Sequence, residues 1–495
     1  MARNPILSFP EVFLSTKDLS SRVSRAVANK EARKLGPRLY TINMADPADV
    51  VVRRNLWLIV GLLCPDAVVG HRTALEGRPT HDGSVFLTGP YTRTIELPGL
   101  TIRMVKGPGP LAGDAQFIGG LWHASQARAF LENLKPSRRR SAAARCVPRE
   151  QLEERLERIL QASGPDALNE LRAQASRITP ALDADAEYIR LSEIVGTFLG
   201  TRSAGLGAPL ALARAAGVPY DPGRIEVFQT LLAQLRQWQP ISRPASGDEE
   251  SLRNLVFVDA YFSNYIEGTE FTIEEAAQIV FENRVPVHRP EDAHDVLGTF
   301  RILSRSDVMS RSAIEYSHDP EQFLGELRHF HSELLSQRPD KRPGQFKVEP
   351  NRAGNTVFVD PDLVVGTLLK GLEFYRSLDN PFARAAFMMF LVTEVHPFDD
   401  GNGRLARILM NIELHSGGET RIIIPTVYRE DYFGALRVLT RKSHALPFLQ
   451  MLDYAQRFTA AISFRDLPGA LAVLRDCNAF DDTGDLRLRL PESAV

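Results

Sequence analysis

Residues 396–407 carry the run HPFDDGNGRLAR. The run places a histidine, which can act as a base, ahead of a carboxylate, a Gly-Asn-Gly turn and two arginines. Carboxylates bind Mg²⁺, successive backbone N–H groups at a helix start bind phosphate oxygens, and arginines neutralise phosphate charge. The run therefore predicts a nucleotide-binding site suited to group transfer.

The spacing of the run predicts that these groups share one pocket. Pro397 and the two glycines predict a loop over residues 396–403, followed by a helix over 404–411 in which Arg404 and Arg407 lie on the same face. The preceding run, 382–392, is apolar nearly all round and predicts a buried helix that delivers His396 into a cleft. Each polar residue alone could be structural, but no packing requirement explains Gly-Asn-Gly between a carboxylate and paired arginines.

The run matches the Fic family signature, His-Pro-Phe-x-Asp/Glu-Gly-Asn-x-Arg-x-x-Arg, at every fixed position, and the chain resembles Fic (Fido) adenylyltransferases. The resemblance implies that AMP passes from ATP to a Ser, Thr or Tyr hydroxyl of a target protein. It also implies a role for each residue: His396 as general base, Asp400 for Mg²⁺, Gly401, Asn402 and Gly403 for the anion-holding turn, Arg404 for the phosphates and Arg407 for the γ-phosphate. Phe398 would be a core anchor.

A second helix is predicted over residues 254–267, which have apolar residues at helical spacing. It closes with Ser263, Glu267 and Gly268, which resemble the inhibitory helix of Fic proteins, Ser/Thr-x-x-x-Glu-Gly/Asn. The resemblance implies that Glu267 pairs with Arg407 and removes the partner of the γ-phosphate, so that the enzyme inhibits itself. The alternative is an ordinary glutamate at a helix end.

Two further segments resemble less specific parts of the Fic site. Residues 341–348 and 356–359 predict a β-hairpin, equivalent to the flap on which a target backbone pairs, with Gly344, Phe346 and Lys347 on it. The family usually has an arginine where Lys347 stands, and the alternative is a hairpin that only covers the core. Tyr432 and Phe433 resemble the residues that line the adenine, and here the alternative is simple core packing.

The first 147 residues differ in character. Residues 17–38 hold seven Lys or Arg against two acidic residues, and two short helices followed by a basic hairpin predict a winged helix-turn-helix over 1–45. Arg22 and Arg25 would face DNA from its second helix. The region to about 135 resembles AbiEi-type antitoxin regulators of toxin–antitoxin systems. The alternative is a protein-interaction module with a solvated basic face.

The fold expected is multidomain and mainly α: an all-helical Fic core with a β-hairpin flap, preceded by a winged helix, a small α/β region and a helical linker unit. The expected boundaries are 1–45, 46–147, 148–222, 223–462 and 463–495, the last with a helix and a terminal strand near 485–490. The net charge of −2 argues against a whole-protein polyanion binder. The three scattered cysteines argue against zinc knuckles and disulfides. With neither signal peptide nor membrane-spanning run apparent, the sequence predicts a cytoplasmic enzyme.

The sequence is compatible with several functions. The first is a self-inhibited adenylyltransferase that uses ATP and Mg²⁺, has a target protein as partner and does not bind membranes. The second is a nucleotide-sensing transcriptional regulator or toxin–antitoxin component that binds DNA; the intact His396 favours the first, since a pure sensor needs no base. Fic relatives that use another donor, or that remove AMP, are not separated by sequence. The oligomeric state is open, with a homodimer as one option.

Overall fold

The computed structural model describes residues 9–135, 144–202 and 205–491. The chain forms two units, Met1–Ala216 and Gly217–Val495. The run 396–407 lies in the second unit, as does the predicted inhibitory segment.

The first unit mixes strands and helices. Its strands are β1 (Val12–Leu14), β2 (Arg33–Gly36), β3 (Leu39–Thr41), β4 (Val68–Val69), β5 (Ser84–Gly89), β6 (Arg93–Leu97), β7 (Leu100–Lys106), β8 (Ala115–Phe117) and β9 (Leu121–His123). Its helices are α1 (Ser20–Ala28), α2 (Ala48–Arg54), α3 (Leu56–Leu63), α4 (His71–Glu76), α5 (Gln126–Leu134), α6 (Arg149–Leu182), α7 (Asp185–Phe198) and α8 (Pro209–Ala215).

The strands of the first unit form two sheets. The smaller is antiparallel with the order β1-β3-β2, and the larger is mixed with the order β6-β7-β5-β4-β9-β8. In the larger sheet β5 pairs in parallel with β7, from Ser84 opposite Thr101 to Gly89 opposite Lys106. Every residue of β5 is buried, as expected for a strand that is covered on both faces. The helices α6 and α7 follow the sheet, and α6 is interrupted at Gly164, which has a positive φ of 74° ahead of Pro165.

The helix-turn-helix prediction over 1–45 is wrong in one respect. Within the described part, residues 9–45, the chain has one helix, α1, and the segment 15–19 is mostly turn. Val12 and Phe13 are buried in strand β1, so the chain enters this region extended. The basic hairpin is present as β2 and β3.

The second unit is almost entirely helical. Its helices are α9 (Pro222–Gln237), α10 (Glu249–Tyr265), α11 (Ile273–Glu282), α12 (Pro290–Ser304), α13 (Ser306–Met309), α14 (Pro320–Leu334), α15 (Val364–Tyr375), α16 (Pro381–Val395), α17 (Asn402–Ser416), α18 (Arg429–Lys442), α19 (Leu446–Ala460) and α20 (Leu467–Asp476). Its strands are β10 (Arg352–Ala353) and β11 (Thr356–Val357).

Helices α16 and α17 form the centre of the second unit. The side chain of Asn380 caps α16 by accepting from Ala383 N–H, and almost every residue of α16 is buried, which confirms the predicted core helix. The loop 396–401 joins α16 to α17 and is two residues shorter than the predicted loop 396–403, because α17 begins at Asn402. Helix α10 begins at an Asp248 cap and ends two residues before Glu267. A capping box of Thr272 and Glu275 begins α11.

The observed hairpin is shorter than predicted, and only its second strand lies within the predicted range 356–359. Only Arg352–Ala353 and Thr356–Val357 pair as strands, while residues 341–348 form no strand. Pro343 cannot donate to a ladder, and the chain turns at Gly344, which has a φ of 75°. The N–H of Lys347 donates to Pro397 O at 2.9 Å. The segment 341–348 is therefore hydrogen-bonded to the loop 396–401 instead of to a neighbouring strand.

The predicted terminal strand near 485–490 is also wrong. The segment has no strand, and its three leucines do not share one environment, since Leu486 is 49% exposed whereas Leu488 and Leu490 pack inward. Leu488 and Leu490 lie against the core beside α20, and Leu488 O accepts from the Tyr454 hydroxyl at 3.0 Å. No helix within the described ranges combines the length and the apolar composition needed to cross a bilayer.

Candidate functional site

His396 lies at the C-terminal end of α16 in a left-handed conformation with φ 53°. A non-glycine residue rarely adopts this backbone, and the conformation turns the imidazole out of the helix. The ring stacks on Phe358 with 3.7 Å between centroids. Its Nδ1 lies 3.2 Å from Thr393 O. A carbonyl only accepts, so Nδ1 carries the proton and Nε2 keeps its lone pair.

The protonation of His396 suits a base. Burial lowers the pKa of His396 to about 4, opposed by the Thr393 carbonyl and helped by the nearby Lys347 charge. The imidazole is therefore neutral at pH 7 and can accept a proton.

The loop 396–401 is held by Asn402. Its Oδ1 accepts from Phe398 N–H at 2.9 Å, and its Nδ2 donates to Phe398 O at 2.8 Å. Asn402 and Phe398 are both buried. The side chain of Asn402 thus shapes the loop, and the turn it creates leaves the first N–H groups of α17 for an anion.

Asp400 and Arg404 lie at the start of α17. The Asp400 side chain is 46% exposed and lies 3.6 Å from the Arg404 guanidinium. Arg404 is buried and pairs with Asp295 of α12 at 2.7 Å. Its Nε bonds no atom of the described residues. Arg404 is therefore positioned by Asp295 and retains donor capacity beside the loop.

Arg407 is buried and is bonded by several groups of the site. Its Nε donates to Ser263 Oγ at 2.9 Å and its Nη2 donates to Ser263 O at 2.8 Å. The same Nη2 pairs with Glu267 Oε1 at 2.7 Å. The Arg407 side chain is 3% exposed and that of Glu267 is 29% exposed, so the pair is only partly screened by water. The sequence-predicted residues Ser263, Glu267 and Arg407 thus meet.

Because Gly403 has no side chain, the Glu267 carboxylate can lie directly against it. A Cβ on Gly403 would lie 2.2 Å from Glu267 Oε1. The carboxylate therefore sits against the first turn of α17, where N–H groups and the helix dipole favour an anion. Gly268 has a φ of 95°, which lets the chain turn away directly after Glu267.

Tyr432 and Phe433 of α18 differ in their surroundings. Tyr432 is buried, and Arg407 Nη1 donates to its hydroxyl at 3.3 Å. Phe433 is partly exposed, with its ring 5.1 Å from that of Tyr432. Tyr432 therefore positions Arg407. Of the two aromatic side chains, Phe433 is the one exposed enough to contact a ligand.

The residues expected on the flap lie beside the loop. Lys347 is 3% exposed and donates to Asn351 Oδ1 at 2.7 Å. Burial lowers the pKa of Lys347 to about 8. The ring of Phe346 lies 5.2 Å from that of Phe398, and Gly344 N–H donates to His331 Nδ1 at 2.9 Å. These contacts stabilise the loop 396–401. The role of Gly344, Phe346 and Lys347 in binding a target stays a prediction.

Three contributors were missed from sequence: His331, Asp295 and Phe358. His331 lies on the stripe Phe323, Leu327, His331 and Leu334 of α14, so its helical spacing was a signal that it faces the core. Asp295 and Phe358 carry no local signal, since each acts through a residue distant in the chain.

The carboxylates of the site suit a metal shared with a substrate better than a metal held by the protein alone. Among the described residues no group of three or more His, Cys, Asp or Glu could hold an ion. One exposed carboxylate, Asp400, next to an anion-binding helix end fits Mg²⁺ shared with substrate phosphates and does not fit a protein-only metal cage.

Arg22 and Arg25, the predicted DNA contacts, lie on α1 of the first unit. The Arg22 guanidinium lies 5.6 Å from the centre of the Phe9 ring, and Arg25 is exposed. Their role toward DNA stays a prediction.

Comparison with known proteins supports the same region. A family model described as Fic/DOC family matches residues 324–414. A Fido domain-containing protein of Dictyostelium discoideum is 32% identical over 103 residues, which cover 20% of this chain and 72% of that protein. Protein adenylyltransferase fic-1 of Caenorhabditis elegans is 25% identical over 249 residues, 49% of this chain and 47% of the relative. The chain spans about half the length of such adenylyltransferase relatives.

A solved structure of a Fic domain containing signaling protein from Bacteroides thetaiotaomicron matches 50% of this chain and 97% of that one. The pair has 18% sequence identity and a TM-score of 0.37.

Proposed function

This chain belongs to the Fic/DOC family, and on that premise we propose that it is a self-inhibited protein adenylyltransferase. It transfers AMP from ATP to a Ser, Thr or Tyr hydroxyl of a target protein. The naming of relatives as protein adenylyltransferases supports the reaction class.

The reaction follows from the placement of the loop groups. His396 Nε2 accepts the hydroxyl proton as the target oxygen bonds to the α-phosphorus of ATP, and the bond to the β-phosphate bridging oxygen breaks, so that pyrophosphate leaves. The N–H groups at the start of α17 and the Arg404 guanidinium stabilise the phosphate charge. Asp400 would hold Mg²⁺, which would neutralise phosphate charge when bound.

Self-inhibition rests on one observation, the contact of Glu267 with Arg407 at 2.7 Å against Gly403. The carboxylate and a γ-phosphate would compete for the same guanidinium and the same helix start. A nucleotide can bind with its terminal phosphate on Arg407 only after Glu267 has moved.

Replacing Glu267 tests this proposal. Glu267→Gly should raise self-labelling by ATP labelled at the α-phosphate at least tenfold, because Arg407 becomes free for the γ-phosphate. Glu270→Gly is the matched control, since Glu270 is exposed and has no side-chain hydrogen bond or ion pair among those described. Equal labelling of Glu267→Gly and wild type would refute self-inhibition by this contact.

The same experiment separates the donors that the sequence leaves open. ATP, UTP and CTP, each labelled at the α-phosphate, can be compared on Glu267→Gly, and loss of label from modified protein would reveal AMP removal. A cytoplasmic location is part of the proposal and is supported by the three cysteines, which are free and buried.

A further inference from the structure

A cavity of about 570 Å³ lies beside the first turns of α10, far from the end that carries Glu267. Residues 252 and 267 are fifteen apart, which corresponds to roughly 20 Å along a helix. The cavity walls relevant here are Leu252, Leu255, His415, Arg421, Ile462 and Phe464. Its volume falls in the range of sites that hold small molecules, about 300–1,000 Å³.

Arg421 brings a buried charge to this cavity, and its electrostatic partner, Asp259, is not in ion-pair contact with it. Arg421 is 2% exposed, and the hydrogen bond of its guanidinium is from Nη1 to Leu303 O at 3.1 Å. Its Nε has no hydrogen-bond partner among the described residues, and Asp259, the acid whose charge acts on Arg421, forms no ion pair with it there. A buried cation without a partner is costly, so it marks a place where an anion is expected.

The nearest buried acid does not supply that partner. Asp259 is held by Asn411, whose Nδ2 donates to Asp259 Oδ2 at 2.8 Å. Burial raises the pKa of Asp259 to about 7, against the opposing effect of Arg421. Burial lowers the pKa of Arg421 to about 10, so that Arg421 stays charged at neutral pH while Asp259 is only partly ionised.

The remaining walls favour an apolar ligand body. Leu252, Leu255, Ile462 and Phe464 contribute hydrocarbon surface, and burial lowers the pKa of His415 to about 4, which leaves its ring uncharged. At the rim, Asp248 accepts from Ser251 N–H and Oγ, and Arg465 lies near enough to lower the pKa of Asp248. Glu249 completes the charged groups of the rim.

We propose that this cavity binds a small carboxylic acid whose carboxylate pairs with Arg421 and whose apolar body lies between α10 and residues 462–464. The planar guanidinium matches a planar carboxylate in geometry and charge. The apolar body explains why the pocket is lined by leucine, isoleucine and phenylalanine instead of further donors.

Such a ligand would also affect α10. It would contact Leu252 and Leu255 on α10 together with Arg421 and Phe464 outside it, so it would bind best when α10 is docked. By linkage, the ligand stabilises the docked helix. If the proposed function is correct, ligand binding also stabilises the inhibitory contacts of Ser263 and Glu267 with Arg407.

Calorimetry on the full chain with octanoate as the probe tests the site. Octanoate should bind, and neutral octanamide should bind at least tenfold more weakly. Arg421→Met should weaken octanoate at least tenfold, whereas Arg465→Met at the exposed rim should change it less than threefold. No binding of octanoate to wild type, or equal binding of octanoate and octanamide, would overturn the proposal.

A second variant guards against misfolding of Arg421→Met. Leu252→Trp keeps the arginine and fills the cavity, so it should abolish octanoate binding with a melting temperature close to that of wild type. Unchanged affinity in Leu252→Trp would place the probe elsewhere and refute the site.

Hydrogen exchange tests the effect on α10 without any need for catalysis. Octanoate should slow exchange of the backbone amides of 249–265 in wild type and leave Arg421→Met unchanged. Binding without added protection would refute the linkage. Because this measurement involves no AMP transfer, its failure is distinguishable from failure of Glu267→Gly to gain activity.

Discussion

Two buried histidines of the second unit have similar environments and different bonding. His396 stacks on Phe358 at 3.7 Å and His331 stacks on Phe398 at 3.8 Å. Burial lowers the pKa of each to about 4. Both rings are therefore neutral at pH 7, and neither the pKa nor the stacking distinguishes them.

The difference lies in the second ring nitrogen. His331 Nδ1 accepts from Gly344 N–H at 2.9 Å, and its Nε2 donates to Asp400 O at 3.0 Å. His396 is held only through Nδ1, and among the described residues no group bonds its Nε2. His331 is fully buried, whereas His396 is partly exposed. Since a base needs a free, accessible lone pair in addition to a low pKa, the comparison favours His396 over His331 as the proposed base.

The largest expected contrast between the two histidines is catalytic. In the Glu267→Gly background, His396→Ala should lower the rate of labelling from α-labelled ATP at least a hundredfold, because general base catalysis is typically worth about 10²–10⁴. His331→Gln should lose less than tenfold. ATP affinity measured by calorimetry should change little in His396→Ala. Persistent labelling by His396→Ala would show that another group takes the proton.

For the free energy of unfolding we expect the opposite order, with the larger loss on replacing His331. His331→Phe keeps a ring on Phe398 but leaves Gly344 N–H and Asp400 O without partners, at a cost of about 1–3 kcal/mol for each buried group. His396→Phe loses one bond to Thr393 O and should cost about 1 kcal/mol. Urea midpoints followed by circular dichroism measure both. A larger loss of stability in His396→Phe than in His331→Phe would contradict the structural role of His331.

The smallest effect concerns the pKa of His396. Phe358→Leu should admit water to the imidazole, so the pKa of His396 should rise from about 4 toward its ordinary value, while that of His331 stays low. A protonated imidazole cannot accept a proton, so in the Glu267→Gly background this variant should lose activity a few-fold between pH 8 and pH 6. NMR titration of the ring protons measures the shift. An unchanged pKa would mean that the stack does not exclude water.

Much of the site was predictable because its signals are local. The apolar run of α16, the loop 396–401 and the arginines three residues apart are determined by spacing within about twenty-five residues. The segment predicted to be inhibitory was recognised by a pattern of three positions, and its glutamate lies 2.7 Å from Arg407. Where a pattern depended on a neighbouring strand, as at 341–348 and 485–490, the prediction failed.

The sequence by itself determined which groups are available for chemistry: a histidine after a buried helix, a carboxylate, a glycine-bounded turn and two arginines. Only the tertiary structure decided which of them are free to act. It showed that Asn402 holds the loop, that Asp295 positions Arg404, and that Glu267 occupies the start of α17. It also showed that Arg421 is buried and that, within the described residues, no carboxylate is in ion-pair contact with it. The physical reason is that helical spacing reveals which face is buried but not which distant element covers it, and hydrogen bonding across that interface determines which lone pairs and charges remain unpaired.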